Sequence, residues 1–207
     1  MKTPKKKTKT EIQFQIKTIL SEEEKLKEWG EGEWLKEPDQ VTFEYRGIQC
    51  LVQRMMARET DQSIFGGHLC GYIRIPKDHC LYGKDLELSS SHIEVHGGVT
   101  YNEMEGENHW IGFDCAHSYD TIPSMVEMRK KIKKDMLEKH PWILEKSPIF
   151  IEGYRNIQYV IGECKSMVDQ LLSINNLNSS TTTCEGCGDF EKENPFDKPC
   201  EPETHST

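Results

Sequence analysis

The chain has 207 residues, of which 35% are hydrophobic and 29% charged, with a formal net charge of −9. That length holds one domain with a sizeable core plus appendages, and the acidic balance argues against direct binding of duplex nucleic acid, whose phosphates need a basic surface. No run approaches the roughly 18 apolar residues of a spanning helix, and no apolar stretch follows the N-terminal lysines as a secretory signal requires. The expectation is a cytoplasmic protein with no membrane partner, and nothing in the sequence sets its oligomeric state. Its eight cysteines then point to reduced thiols or metal ligands rather than a disulfide framework.

Residues 1–10 are rich in lysine without an apolar anchor and read as a basic disordered tail. Beyond them, Ile12, Ile16, Ile19 and Leu20 recur at helical spacing, while Ile12, Phe14 and Ile16 also alternate as a strand would. Ser21 followed by Glu24 resembles a capping box, which predicts a helix from Glu22 to about Gly30. Val41, Phe43 and Tyr45 alternate with polar residues, Arg46-Gly47 supplies a turn, and Ile48, Cys50 and Val52 alternate after it, giving a hairpin. Cys50 and Cys164 sit in apolar patterns and read as small buried hydrophobes.

Residues 64–75, IFGGHLCGYIRI, read as a further strand ended by Pro76. His68, Cys70, Tyr72 and Arg74 share one face of it, with Leu69, Ile73 and Ile75 on the other. A loop with His79 and Cys80 follows. Met125, Met128, Ile132 and Met136 mark an amphipathic helix over 124–139. Its other face carries Arg129, Lys130, Lys131, Lys133 and Lys134, which serve as a solvated surface or as a patch for an anionic ligand. A short strand is expected at 148–151. Ile157, Val160, Ile161, Cys164, Met167, Val168, Leu171 and Leu172 give the clearest helical stripe, over about 154–173. The organisation is a basic tail (1–10), a single α+β domain (11–174) and an acidic, cysteine-bearing tail (175–207). The sheet is expected to be mixed or antiparallel and packed by the long C-terminal amphipathic helix.

Residues 91–120 concentrate the chemistry: His92, His96, His109, His117, Cys115, the Gly97-Gly98 pair, Asp114 and Asp120. Read as strands, they give a short element ending near His96, a polar loop, and a second element from about His109 to Cys115. Alternation would point Cys115 and His117 the same way, and the glycine pair permits a sharp turn or a close approach to a ligand. Zinc accepts thiolate, imidazole and carboxylate, and a catalytic zinc keeps three protein ligands and a position for water. His96, Cys115, His117 and Asp120 suit that pattern, with His96 and Asp120 also candidates for catalysis; His68, Cys70, His79 and Cys80 lie near enough in the chain to be weighed beside them. The alternative is a set of core histidines bonded to main chain. A Cys–His nucleophile pair through Cys115 is a lesser option.

A second constellation lies in the tail. Cys184, Cys187, Cys200 and His205 have the spacing C-x2-C-x12-C-x4-H, close to that of a small zinc knuckle. A redox pair of Cys184 with Cys187 and a tail without any ligand are the other readings. His92-Ile93-Glu94 imitates the opening of a zinc nucleoside deaminase, but that pattern needs a following Pro-Cys-x-x-Cys, and Thr183 precedes the Cys-x-x-Cys here. Metalloprotease, nucleotide-loop, nucleophile-elbow and dinucleotide fingerprints are absent.

Three blocks carry a resemblance: GHLCGYIRIPKDHCLYGKD from Gly67; VHGGVTYNE with HWIGFDCAHSYD from Val95; and GYRNIQYVIGECKSMVDQL from Gly153. Over about 60–175 the chain resembles a family of small phage and prophage proteins, mostly uncharacterised, that carry HGG-x-T-Y and GFDCAH motifs. Cys80 departs from the family, in which proline follows that histidine. The resemblance implies a phage accessory protein in the cytoplasm of an infected bacterium, and phage proteins of this size often act against a host defence factor, as anti-CRISPR proteins do. Combined with the ligand clusters, the expectation is a zinc-binding counter-defence protein. A metal-dependent hydrolase and a structural zinc protein are the alternatives.

Overall fold

The computed structural model describes residues 12–56, 66–84, 93–140, 142 and 153–179. Strands β1 (Phe14–Lys17), β2 (Gln40–Tyr45), β3 (Ile48–Arg54), β4 (Leu69–Ile75), β5 (Tyr101–Glu105) and β6 (Asn108–Asp114) form one sheet in the order β1-β2-β3-β4-β6-β5. Every strand pair is antiparallel. Helices α1 (Glu22–Trp29), α2 (Val126–Lys139) and α3 (Ile157–Ser179) complete an α+β fold. Among the described residues no helix is long and apolar enough to cross a membrane.

Period-two patterning decides which side of the sheet is covered. Along β3, Ile48, Cys50, Val52 and Arg54 are buried while the residues between them are half-buried. Cys50, Val52, Ile73, Ile111 and Phe113 join Val160, Cys164, Met167, Val168 and Leu171 of α3 in one apolar cluster. Gly71 permits this packing, because a side chain there would run into the Phe113 ring and the Cys164 sulfur. The thiols of Cys50 and Cys164 are buried as the sequence suggested, and burial pushes the former up to about 12.

The capping box is present: the Ser21 hydroxyl accepts from Glu24 N–H and the Glu24 carboxylate accepts from Ser21 N–H. Of the two readings of residues 12–20, the strand is the one formed, paired along the edge with β2. The loop expected between His96 and His109 contains β5. Its sequence, YNEME, has no apolar alternation because it is an outer strand, half-buried or exposed throughout. The strand predicted over 64–75 starts at Leu69, and residues 64 and 65 lie outside the described residues. So do the expected strand at 148–151 and both tails.

Candidate metal centre

The centre forms where β6 stops. The Asp114 carboxylate accepts from Ala116 N–H at 3.0 Å, an Asx-type turn that competes with continued strand. The strand therefore does not carry Cys115 and His117 on one face as alternation suggested. Cys115 is 2% exposed and packs in the apolar cluster, whereas the His117 side chain is 25% exposed. Burial, with the Asp120 and Asp114 charges nearby, pushes the Cys115 thiol well above its ordinary range, which disfavours a thiolate there.

Asp120 is then pinned by the chain entering α3. It forms a parallel bridge with Gly153, and Thr121 N–H donates to the Gly153 carbonyl at 3.1 Å. This register brings Arg155 alongside, so that its Nε donates to Asp120 Oδ1 at 2.9 Å. His96 arrives in a turn, not at a strand end, closed by Gly98 N–H to the Val95 carbonyl at 2.9 Å. Its own N–H donates to the Glu163 carboxylate at 2.8 Å. Gly97 lies against the His117 imidazole with no room for a side chain.

The groups converge on Asp120 Oδ2. His96 Nε2 lies at 2.9 Å, His117 N–H donates at 3.0 Å, and His117 Nδ1 lies at 3.3 Å. One ligand atom from each of His96, His117 and Asp120 can be chosen so that all fall within 4.8 Å of one another, which makes the set a candidate metal site. The remaining ring nitrogen of His96 meets the Tyr159 hydroxyl at 3.1 Å. Tyr119 stacks on His117 at 5.8 Å between ring centres, and His96 meets the His117 ring edge-on at 5.3 Å. Burial alone would raise the Asp120 pKa, but hydrogen bonds from His96, Arg155 and the His117 N–H outweigh it and hold the carboxyl below its ordinary value. Asp120 is thus an anion in a site with 0% exposure.

Other candidates have different places. His79 Nε2 meets the Leu171 carbonyl at 2.9 Å, and its Nδ1 accepts from Leu81 N–H. His109 Nδ1 accepts from Gly83 N–H while Nε2 meets Asn102 Oδ1 at 2.6 Å. Both are core histidines with their polar atoms satisfied. His68 and Cys70 are buried near Asp114 on the sheet face away from α3, where they line a pocket with Tyr72 and Tyr101. Burial raises Cys70 to about 12. His92, Cys184, Cys187, Cys200 and His205 lie outside the described residues.

Sequence reasoning did not single out Arg155, Tyr159, Tyr119 or Glu163. For Arg155 and Tyr159 the one signal is the block GYRNIQY, which puts aromatic and basic residues at the entry to α3; Tyr119 and Glu163 carry none. Searches against family models, curated proteins and solved structures give no match.

Proposed function

We propose that the chain binds one zinc ion through His96 Nε2, His117 Nδ1 and Asp120 Oδ2 and is a metal-dependent hydrolase. The observation that carries this reading is that one ligand atom from each of these three residues falls within 4.8 Å of the others. Around a tetrahedral zinc with bonds of about 2.0–2.1 Å, ligand atoms lie about 3.3–3.4 Å apart. The 3.3 Å from Asp120 Oδ2 to His117 Nδ1 matches, and the 2.9 Å to His96 Nε2 is a hydrogen-bond distance that would open by about 0.4–0.5 Å around the ion.

The surrounding groups suit the same role. A metal-binding imidazole directs its other nitrogen to an oxygen that fixes its orientation, and Tyr159 stands at His96 Nδ1. A metal-binding carboxylate is itself held by a donor, and Arg155 holds the Oδ1 of Asp120. Zinc in such a set lowers the pKa of a bound water to about 7. His117 is a quarter exposed while the His96 and Asp120 side chains are 5% and 0% exposed, so the accessible side of the centre is the one next to His117.

The test is metal content of full-length chain with Cys184, Cys187 and Cys200 replaced by Ser, so that tail thiols contribute nothing. One equivalent is expected, lost in His117→Ala with the far-ultraviolet spectrum retained, along with hydrolysis of activated esters. A chain that stays free of metal after equilibration with zinc would leave a plain hydrogen-bonded His–Asp–Tyr network and end the proposal.

The net charge of −9 favours a second reading, in keeping with the resemblance to phage and prophage proteins. An acidic accessory protein would occupy the basic groove of a host defence factor, with zinc serving the fold. Under that reading Asp120→Asn weakens binding of that partner only as far as it lowers stability, and no ester is turned over.

A further inference from the structure

We infer that the centre takes a phosphate ester, with Arg155 holding an anionic oxygen of the substrate. This inference rests on the metal reading above and adds the substrate class. Arg155 lies over two aromatic rings, 5.8 Å from the centre of Tyr119 and 5.2 Å from that of Tyr159. Its Nε is committed to Asp120. Among the described residues its two terminal nitrogens have no hydrogen-bond partner, and the side chain is 28% exposed. A guanidinium fixed through Nε and by stacked rings presents its other edge as a rigid fork, a geometry that matches phosphate oxygens.

Charge points the same way. Asp120 is the only anion in the proposed ligand set; a divalent ion with two neutral imidazoles and one carboxylate retains a positive charge, and Arg155 adds another. Two further carboxylates stand near: Glu163 is tied to His96 N–H, and Asp114 Oδ1 lies 4.0 Å from His117 Nδ1. Neither belongs to the set. A second guanidinium reaches the same residue from α2, where Arg129 donates to the Asp120 carbonyl at 2.9 Å. The basic face of α2 therefore begins at the rim of the centre. With the Glu163 and Asp114 carboxylates counted, the ion, Asp120 and the two guanidiniums leave about one positive charge at the centre, in a chain of net charge −9, which favours an anionic substrate there. A neutral ester or amide would make no use of the Arg155 terminal nitrogens. The hydrolysis balances with water alone: water oxygen bonds to phosphorus, the bond from phosphorus to the leaving oxygen breaks, and one water proton ends on the departing alcohol.

The experiment uses full-length, zinc-equilibrated protein whose zinc content is measured first. Turnover is compared on p-nitrophenyl phosphate, bis(p-nitrophenyl) phosphate and p-nitrophenyl acetate, and binding of inorganic phosphate is followed by calorimetry. Turnover of at least one phosphate ester is expected, with the acetate ester at least tenfold poorer in kcat/KM and inorganic phosphate competing. Compared at equal, measured zinc occupancy, Arg155→Ala should weaken phosphate binding and raise KM at least tenfold, with Arg155→Lys recovering part of the loss. Lys77→Ala, in an exposed pair with Glu107 at the opposite end of the sheet, should change neither. If zinc is bound but only the acetate ester turns over, or Arg155→Ala binds phosphate as wild type does, the substrate assignment is overturned while the metal reading stands. If no zinc binds, both fall. Should Arg155→Ala not fold, the wild-type preference between the esters decides alone.

Discussion

At position 97 the backbone has φ +69° and the His117 imidazole occupies the space where a side chain would begin. Gly98 also has a positive φ, +89°, but nothing lies within 4 Å of the same point on its backbone. The pair separates two effects of one substitution. Gly98→Ala should cost about 1 kcal/mol of stability through backbone strain alone and keep zinc affinity. Gly97→Ala displaces His117 as well, so zinc affinity should fall at least tenfold; titration with zinc and denaturant melts of both variants check this. Cys115 gives a third expectation at this scale. Its thiol is buried in the apolar cluster, so Cys115→Ala should retain the full zinc equivalent while losing about 1–2 kcal/mol of stability. Loss of zinc in that variant would restore Cys115 as a ligand. His96, His117 and Asp120 were legible because imidazoles and carboxylates beside a glycine pair stand out in one short stretch. Arg155 and Tyr159 were not, because they meet Asp120 and His96 from 35 and 63 residues away in the chain.

The start of α3 is held by a buried charge cluster that no sequence pattern announced. Lys25 of α1 reaches Asp39 Oδ1 at 2.9 Å, and Arg54 at the end of β3 reaches the same oxygen at 3.1 Å. The Asp39 Oδ2 accepts from the N–H groups of Ile19 and Leu20. Arg54 also meets Glu37 at 2.9 Å, and Glu37 accepts from the Tyr154 hydroxyl and from Ile157 N–H. The cluster thus fixes residues on both sides of Arg155 and connects the edge of the sheet to the centre. Arg54 continues the alternation of Ile48, Cys50 and Val52 onto the covered face, a place its charge made unreadable without its partners. Breaking such a cluster leaves unpaired buried charge, so Asp39→Asn should cost about 3–5 kcal/mol. Burial would raise the Asp39 pKa, but the Leu20, Lys25 and Ile19 donors outweigh it and lower it. A lowered folded value means that the stabilisation is complete above the unfolded carboxylate value of about 3.9. It is lost as pH falls through the folded value below that. Asp120 is shifted in the same direction, so the informative quantity is the difference between wild type and Asp39→Asn. Urea melts from pH 6 to pH 2 should show that difference shrinking at the acid end. A constant difference would mean that Asp39 contributes no pH dependence.

In the whole molecule, α3 has two tasks on two stretches of one helix. Its apolar stripe packs with the sheet in the main cluster, and its first turns carry Tyr159 and Glu163 to His96. The stripe was readable in the sequence because burial imposes a helical period. The centre was only half readable, because a site assembled from two turns and a helix start leaves no period. Metal should therefore stabilise the fold as well as complete the site. Zinc held at 100 times its dissociation constant contributes about 2.7 kcal/mol, which for a chain of this size raises Tm by about 5–10 °C. Asp120→Asn should abolish most of that rise in calorimetry, and an equal rise in wild type and variant would place the bound zinc elsewhere. The most direct measurement is zinc K-edge absorption on full-length protein with Cys184, Cys187 and Cys200 changed to Ser. Zinc bound by His96, His117 and Asp120 gives nitrogen and oxygen neighbours only, at about 2.0–2.1 Å. Sulfur at about 2.3 Å, or protein that retains no zinc, would contradict it.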